Sequence, residues 1–500
     1  SPPNPPRPRF SRPVAILVTV VMVAALSAGS VKGAWPVVED VRGWLGSRGS
    51  WKVFAWKWAL SKVGHVGAHA RDIARTSREI WRAEPLSDEQ WRRIVAHARK
   101  LRRDAPSEGF GAAKGMNLLI LQLEGVQSWV LGATVEKEPI TPYLNSLRER
   151  SLYFTNIWDQ TGGSPTADCE YLVLNSQHPL PVGSVSFRRG SNDFVALPAV
   201  LRDAGYETFA AHAYRAGMWN RSVLYPRFGF QRTAFSDLFG RQPRIGWGLS
   251  DKVFFRKLVP LMKKLREPWF VFAITLTSHH PYTRFPRKER TIKVGRLAGT
   301  RLNGYVASIR FVDEAVEQFL GALERAGMLE NTLVVVYGDH ESKIKLNKRE
   351  KRRAKKALNL PGRTINLLAR RHWMTKKIPL IIAFPDQKST GTVERYGGQI
   401  DIGVTVLHYL GLDTPGSFFG SPLVGKRGGI APHFGGSVAS DEGIYVRGAD
   451  GCVDQSGRSR PRATCDALRK RGEEAVELSL LVTKHDLARR LTRALGAGSK

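Results

Sequence analysis

The chain has 500 residues, 42% of them hydrophobic, and 77 Lys and Arg against 44 Asp and Glu. That length and apolar content exclude a wholly disordered chain and allow roughly two to four domains, although large α/β enzymes often hold about 300 residues in one unit. The net charge of +33 favours polyanionic partners such as nucleic acid, an anionic membrane surface or phosphorylated substrates.

Residues 1–12 are rich in Pro and Arg and are expected to be a disordered cytoplasmic N-terminus. Residues 13–31 (PVAILVTVVMVAALSAGSV) carry no charge. Their length approaches the roughly 20 residues needed to span a bilayer, which predicts a transmembrane helix. Arg7, Arg9 and Arg12 precede it, so its N-terminal side faces the cytoplasm and the remainder lies outside. A cleaved signal peptide is the rival, since Ala25, Ser27 and Ala28 close the run. The anchor is preferred because the apolar stretch exceeds a signal core of about 7–15 residues. A first residue of Ser rather than Met leaves room for further spans upstream.

Residues 32–113 read as a helical, membrane-proximal linker. Trp35, Trp44, Trp51, Trp56, Trp58, Trp81 and Trp91 lie among many Arg and Lys. That mixture suits a helix at the headgroup level, or equally an amphipathic linker packed on the next domain.

From about Lys114 the pattern changes. Apolar runs at 117–123, 206–213, 268–276, 332–338 and 378–384 alternate with helical stretches such as ITPYLNSLRER, FVALPAVLRDAG and YVASIRFVDEAVEQFLGALERAG. Continuous apolar strands between helices predict an α/β domain, a mostly parallel sheet sandwiched by helices, over residues 114–435. No GxxxxGKS or GxGxxG follows a strand, so a nucleotide-binding loop is not supported. Residues 436–500 read as a C-terminal segment packed on that domain. There, Cys452 and Cys465 form either a disulfide or two free thiols.

Ligands in open α/β sheets bind beyond the carboxyl ends of the strands. The first run ends at Glu124, the third in Thr277, Ser278, His279 and His280, and the fourth at Asp339 and His340. Three strands thus aim carboxylates and imidazoles at one edge. The mixed oxygen and nitrogen set suits Mn²⁺, Zn²⁺ or Mg²⁺. The stretch DQTGGSPTADCEY (159–171) could supply a nucleophilic hydroxyl at a helix N-terminus, where the dipole favours an alkoxide and a phosphate. Locally, Ser164 or Thr166 reads at least as well as a plain N-cap.

Several segments together resemble the lipoteichoic acid synthase and phosphoglycerol transferase family, within the alkaline phosphatase and sulfatase superfamily. They are NLLILQLEGVQSW, ITPYLNSLRERSLYFTNIWDQTGGSPTADCEYLVLNSQHPLP, AYRAGMWNR, ITLTSHHPY, VVVYGDHES and IPLIIAFPDQ with YGGQIDIGVTVLHYLGLD, in family order over about 115–415. The resemblance implies that 114–435 is a sulfatase-like catalytic domain. It implies that Glu124, Asp339 and His340 hold one divalent metal, Mn²⁺ first with Zn²⁺ or Mg²⁺ as alternatives. Thr166 matches the catalytic threonine, which also touches the metal. Trp219, Arg221 and His279 match residues that hold the phosphoglycerol group. Tyr214 stands where the family places a pocket Asp, five residues before the Trp, and leaves the headgroup open. The formylglycine signature C-x-P-S-R of sulfatases is missing, since Glu-Tyr-Leu follows Cys169, which reads as a buried helix residue. His178, His212, His280, His408 and His433 match no second-metal position, and His408 in VTVLHYLG reads as structural.

The implied function is a phosphoglycerol transferase on the outer face of a bacterial cytoplasmic membrane. The donor would be phosphatidylglycerol or a similar anionic lipid, and the acceptor a glycan or polyglycerolphosphate. Phosphoethanolamine transfer, hydrolysis of phosphodiester, phosphonate or sulfate esters, and a catalytically silent lipid- or glycan-binding domain are the alternatives. The basic run at 343–377 (KIKLNKREKRRAKKALNLPGRTINLLARRHWMTKK) is a solvated face or disordered loop, or attracts anionic headgroups or a charged acceptor. No nucleic-acid reading motif accompanies the charge. Oligomeric state is not legible.

Overall fold

The computed structural model describes residues 85–496 except 371, 388, 426 and 427. The expected N-terminus, transmembrane helix and most of the linker, residues 1–84, lie outside the described residues. Among the latter, no helix is long and apolar enough to cross a membrane.

The main sheet has eight strands: β1 Asn117–Leu123, β2 Leu152–Trp158, β3 Glu207–His212, β4 Arg232–Phe235, β5 Trp269–Ile274, β6 Thr332–Gly338, β7 Leu380–Ala383 and β8 Gly391–Gly398. Their spatial order is β8-β2-β7-β6-β1-β5-β3-β4. Only β7 runs against its neighbours, β6 and β2; every other pairing is parallel. The sheet is therefore mixed but mostly parallel.

The apolar runs are continuous because both faces are covered. Along β1, Leu119, Leu121 and Leu123 enter one core while Leu118 and Ile120 enter the other. In β5, Val271 and Ala273 face the first core, and Phe270 and Phe272 the second. The first core lies under helices α4 (Asp251–Met262) and α5 (Arg301–Glu324), the second under α2 (Pro165–Asn175), α8 (Gln399–Tyr409) and α9 (Arg462–Lys484), counting α1 as Asp88–Arg103 and α3 as Arg221–Phe228.

Two further helices, α6 (Lys348–Ala357) and α7 (Gly362–Arg370), are built from the basic run. It is not a disordered loop. An Asn347–Glu350 capping box starts α6, and Ala354, Ala357, Leu358 and Ile365 are buried against the first core. On α6, Lys348, Arg349, Arg352, Lys355 and Lys356 stay exposed, as a solvated face requires.

A second, antiparallel sheet joins β9 Ile430–Pro432, β10 Val438–Ser440, β11 Ile444–Tyr445 and β12 Cys452–Val453. It straddles the boundary expected at 435/436. Cys452 is disulfide-bonded to Cys465 of α9, with Cα atoms 5.4 Å apart. At the other end, α1 joins the same compact unit, with Arg93 bridging to Glu474 and Glu477 of α9.

His178, in the loop after α2, is fully desolvated. Its Nε2 lies 3.3 Å from the Pro432 carbonyl and its backbone N–H donates to Ser479. Burial lowers its pKa to about 4. The ordinary value is near 6.5, so between pH 6.5 and 4 the unfolded chain binds more protons than the folded one, and stability falls as pH drops. The melting temperature should fall steeply across this window, and His178→Gln should flatten the slope; an unchanged slope would remove His178 as its source.

Candidate active site

Register sets the site. In β1–β6 pairing, Leu123 lies opposite Gly338, so the next residues, Glu124 and Asp339, leave adjacent strand ends together. Their backbones are cross-tied: Asp339 N–H donates to Leu123 O at 3.0 Å, and Gly125 N–H donates to Asp339 Oδ1 at 2.7 Å. Gly338 must be glycine because a Cβ there would collide with the Val126 carbonyl. On the β5 side, Thr275 Oγ1 accepts from Glu124 N–H at 2.9 Å and Ser278 Oγ donates to Glu124 O at 2.5 Å.

Glu124, Asp339 and His340 are all buried, and one ligand atom from each falls within 4.8 Å of the other two. His340 Nε2 is 3.2 Å from Glu124 Oε1 and 3.4 Å from Asp339 Oδ2. His340 Nδ1 lies 2.8 Å from the Glu341 carbonyl. A proton on Nδ1 satisfies that carbonyl and leaves the Nε2 lone pair aimed at the carboxylates, the usual arrangement of a ligating histidine.

The charges reinforce the point. Burial raises the Asp339 pKa far above the carboxylate range, and Glu124 beside it adds to the rise. Burial also acts to raise Glu124, but His340 and then His279 outweigh it and hold Glu124 well below its ordinary value. For His340, burial lowers the pKa, yet Asp339 and Glu124 lift it to about 10. Without a cation, this knot must borrow a proton on His340 for balance. Asp339 Oδ2 makes no hydrogen bond. The donor set and the orphaned oxygen both fit a divalent cation held by Glu124, Asp339 and His340.

Thr166 is the second residue of α2, after Pro165. Its hydroxyl caps nothing locally; it donates to Glu124 Oε2 at 3.2 Å. Ser164 forms no side-chain cap either. Instead Asp168 Oδ2 accepts the N–H groups of Gly162 and Ser164 at 2.9 and 3.1 Å. The structure therefore places Thr166 at the carboxylate knot and removes the N-cap alternative.

The expected substrate residues divide. His279 is half-buried; its ring stacks on His280 at 4.4 Å and lies 5.0 Å from Trp247. Trp247 in turn packs edge-on against Tyr214 at 6.4 Å, so Tyr214 joins an aromatic wall beside His279. Trp219 is nearly buried, holds a left-handed φ of 57°, and packs 6.1 Å from exposed Phe187.

Arg221 differs from the open phosphate fork expected of it. It is 1% exposed, and its Nε and Nη2 are committed to Glu170, with Nη2–Oε1 at 2.5 Å. Tyr225 donates to the same carboxylate at 2.6 Å. Only Nη1, 3.5 Å from Met218 O, stays lightly used. Cys169 is buried and unpaired, and His408 bonds the Glu108 carbonyl at 2.7 Å, both in structural positions.

Some neighbours escape sequence reading. Lys343, at a φ of 58°, has its pKa lowered by burial against the pull of Glu124, Asp339, Asp159 and Glu341. Gln399 donates to the Asp339 carbonyl. Asp159 Oδ2 accepts from Glu341 N–H at 3.0 Å, fixing the turn after His340. The Asp159 and Gln399 tethers join residues far apart in the chain, which no local pattern reveals.

Residues 116–412 match the Sulfatase family model. The chain belongs to the sulfatase family. It is 29% identical over 408 residues to a lipoteichoic acid synthase of Staphylococcus aureus (strain USA300), covering 79% of this chain and 61% of that relative. The chain thus spans about three fifths of the relative's length. Among solved structures, the lipoteichoic acid synthase LtaP from Listeria monocytogenes superposes with a TM-score of 0.69 at 24% identity, over 78% of this chain and 98% of LtaP. A Vibrio parahaemolyticus protein of the alkaline phosphatase superfamily gives 0.61 at 16% identity, over 80% of this chain and 99% of its own. These two likenesses establish the sulfatase fold.

Two outcomes are expected from the geometry. Mn²⁺ should raise the melting temperature of the native protein, and Asp339→Asn should abolish that rise; an equal rise in the variant would remove Asp339 from the ligand set. Glu170→Gln should cost about 3 kcal/mol in denaturant unfolding, because it strands the buried Arg221 charge; a loss below about 1 kcal/mol would show that Arg221 reaches solvent or another anion.

Proposed function

We propose that the protein is a metal-dependent phosphoglycerol transferase of the extracytoplasmic membrane face, taking the headgroup from phosphatidylglycerol or a similar anionic lipid. The observation that carries this reading is the Thr166 hydroxyl resting on Glu124 within the Glu124–Asp339–His340 knot. The relationship to the Staphylococcus aureus lipoteichoic acid synthase supports the reaction class, and the uncharged run at 13–31 supports anchoring.

In this reading Thr166 Oγ attacks phosphorus, the bond from phosphorus to the diacylglycerol oxygen breaks, and a phosphoglycerol-threonine ester forms. The Thr166 proton passes toward Glu124 Oε2, its hydrogen-bond acceptor. His279 supplies a proton to the departing diacylglycerol oxygen. An acceptor hydroxyl, from a glycan or a polyglycerolphosphate chain, then attacks phosphorus and gives its proton to His279, the bond from phosphorus to Thr166 Oγ breaks, and Thr166 Oγ recovers its proton from Glu124. The divalent metal, Mn²⁺ first and Zn²⁺ or Mg²⁺ next, supplies charge neutralisation at the alkoxide and phosphoryl oxygens when bound. The α2 N-terminus adds its dipole on the same side. Trp219 forms an apolar wall, and Arg221 enters through Nη1, the nitrogen Glu170 does not engage.

A second headgroup, phosphoethanolamine, is favoured by one feature. Tyr214, packed edge-on against Trp247, presents an aromatic ring where the family pattern has a carboxylate, and aromatic faces attract an ammonium. Competition between the two headgroups separates these readings.

After incubation with phosphatidylglycerol, the Thr166 peptide should carry a phosphoglycerol mass. Thr166→Ala should remove the adduct and lower transfer by at least about a thousandfold, as loss of a nucleophile does, with an unchanged melting temperature. Retained turnover would sink the assignment. Free glycerol phosphate formed equally with and without acceptor would make the enzyme a hydrolase.

A further inference from the structure

The two segments that leave the catalytic strand ends are unusually cationic, and they pack against each other. After His280, the stretch 281–301 carries Arg284, Arg287, Lys288, Arg290, Lys293, Arg296 and Arg301 against the single acid Glu289. After His340, the stretch 343–357 carries Lys343, Lys345, Lys348, Arg349, Lys351, Arg352, Arg353, Lys355 and Lys356 against the single acid Glu350. Glu350 is buried and consumed by Arg301, with Nη2–Oε2 at 3.2 Å, and by the α6 cap. Arg353 Nη1 donates to Ala298 O at 2.7 Å, and Arg296 Nη1 to Lys356 O at 3.3 Å. Those bonds close the segments into an open cleft of about 560 Å³, lined by Gly295, Arg296, Ala298, Arg349, Arg352, Arg353 and Lys356.

No carboxylate among the described residues pairs with Arg349, Arg352 or Lys356. Like charges held this close repel, at a cost in stability, unless an anion sits between them. The bonds from Arg353 and Arg296 to backbone carbonyls hold the cleft's two sides together, and Arg296 also pairs with Glu136 Oε2 at 3.5 Å, so the cations left facing one another are Arg349, Arg352 and Lys356. The cleft is concave, which suits discrete phosphate groups better than a flat bilayer. Its lining also lacks the exposed aromatic or aliphatic side chains that interfacial membrane binding uses. Among the described residues, the large exposed apolar side chains, Phe110, Val182, Phe187, Val223 and Leu238, all lie elsewhere in the chain.

We propose that the cleft between residues 295–298 and α6 is a non-covalent docking site for a phosphodiester-linked polyanion, holding several successive phosphates of a chain that extends from the catalytic edge. It rests on the transferase reading only for what that chain does next: it makes the acceptor a polymer of phosphates rather than a neutral glycan. Binding itself requires no turnover.

The test uses the full chain in a Thr166→Ala background, so that binding is read without reaction. Titration calorimetry would compare a hexamer of 1,3-linked glycerol phosphate with monomeric glycerol phosphate. The variant carries Arg349→Glu, Arg352→Glu and Lys356→Glu. The control carries Lys470→Glu, Arg489→Glu and Arg493→Glu, exposed positions on α9 and on the helix Ala488–Gly496, which change the net charge equally. The cleft variant should bind the hexamer at least about tenfold more weakly and lose about two from its log–log salt slope, as three lost phosphate contacts require. The control should change less than about twofold under the same law, and monomer binding should not change. Equal hexamer affinity in the cleft variant and its parent would overturn the proposal. So would an equal loss in the control, which would reduce the effect to net charge. A loss confined to vesicles of phosphatidylglycerol and phosphatidylcholine, with the hexamer unaffected, would overturn it in favour of a membrane contact. Hexamer binding that depends on the cleft, together with an unsubstituted enzyme that forms no Thr166 adduct, would sustain the site while rejecting the transferase reading.

Discussion

Two buried carboxylates at neighbouring parallel strand ends are the constraint on which the rest depends. Removing a carboxylate from water costs several kcal/mol even after relaxation. Glu124 and Asp339 incur that cost side by side, with His340 between them. The β1–β6 register must hold to the residue, because a slip of one would turn Glu124 or Asp339 onto the opposite face of the sheet. The absent side chain at Gly338, the Gly125 N–H bond to Asp339 and the hydroxyls of Thr275 and Ser278 all secure that register or the turn beyond it. Stability has been spent at this edge, and a cation is the simplest physical compensation.

The same logic governs α2. In a helix whose residues are all buried, polar groups without partners are costly, and Asp168 Oδ1 and the Asn175 amide are the side-chain atoms of α2 left without one. Glu170 satisfies Arg221 and Tyr225, and Asp168 gathers the N–H groups of Gly162 and Ser164. These ties leave the Thr166 hydroxyl facing Glu124. Replacing the Arg221–Glu170 pair by apolar residues of similar volume is expected to be near neutral for stability. Its value lies in orientation: it fastens the segment carrying Trp219 to the helix carrying Thr166.

Much of this was legible in the sequence, for reasons that differ by element. The runs that became β1, β3, β5, β6 and β7 stood out because burial on both faces removes polar alternation. Strand β2 did not, since Tyr153, Thr155 and other half-buried positions interrupt its apolar character. Strand β8 (GTVERYGG) lies at the sheet edge with an exposed first half, so nothing in its composition marks it. The reversed direction of β7 was invisible because composition carries no polarity. Within the site, strand ends announced Glu124, Asp339 and His340. Thr166 was locally indistinguishable from a cap until its distance to Glu124 was known. The engagement of Arg221 by Glu170 was missed because the partner lies 51 residues away, beyond the reach of any periodicity.

Cations around a metal edge present an apparent conflict, because they oppose binding of another cation. Distance and dielectric resolve it. The carboxylates act on a bound ion at contact range in a desolvated site, where the interaction is strongest. The exposed Arg and Lys of α6 act through water and are screened within about 8 Å at physiological salt. They therefore take little from a metal held by Glu124 and Asp339. Their summed field still reaches an incoming polyanion, whose many charges each feel it. Lys343 stands at the boundary between the two regimes, beside the carboxylates yet at the head of the basic segment. The arrangement separates two tasks along one stretch of chain: residues 339–340 bear the buried anionic knot, and residues 343–357 bear the cations that draw negative charge toward it.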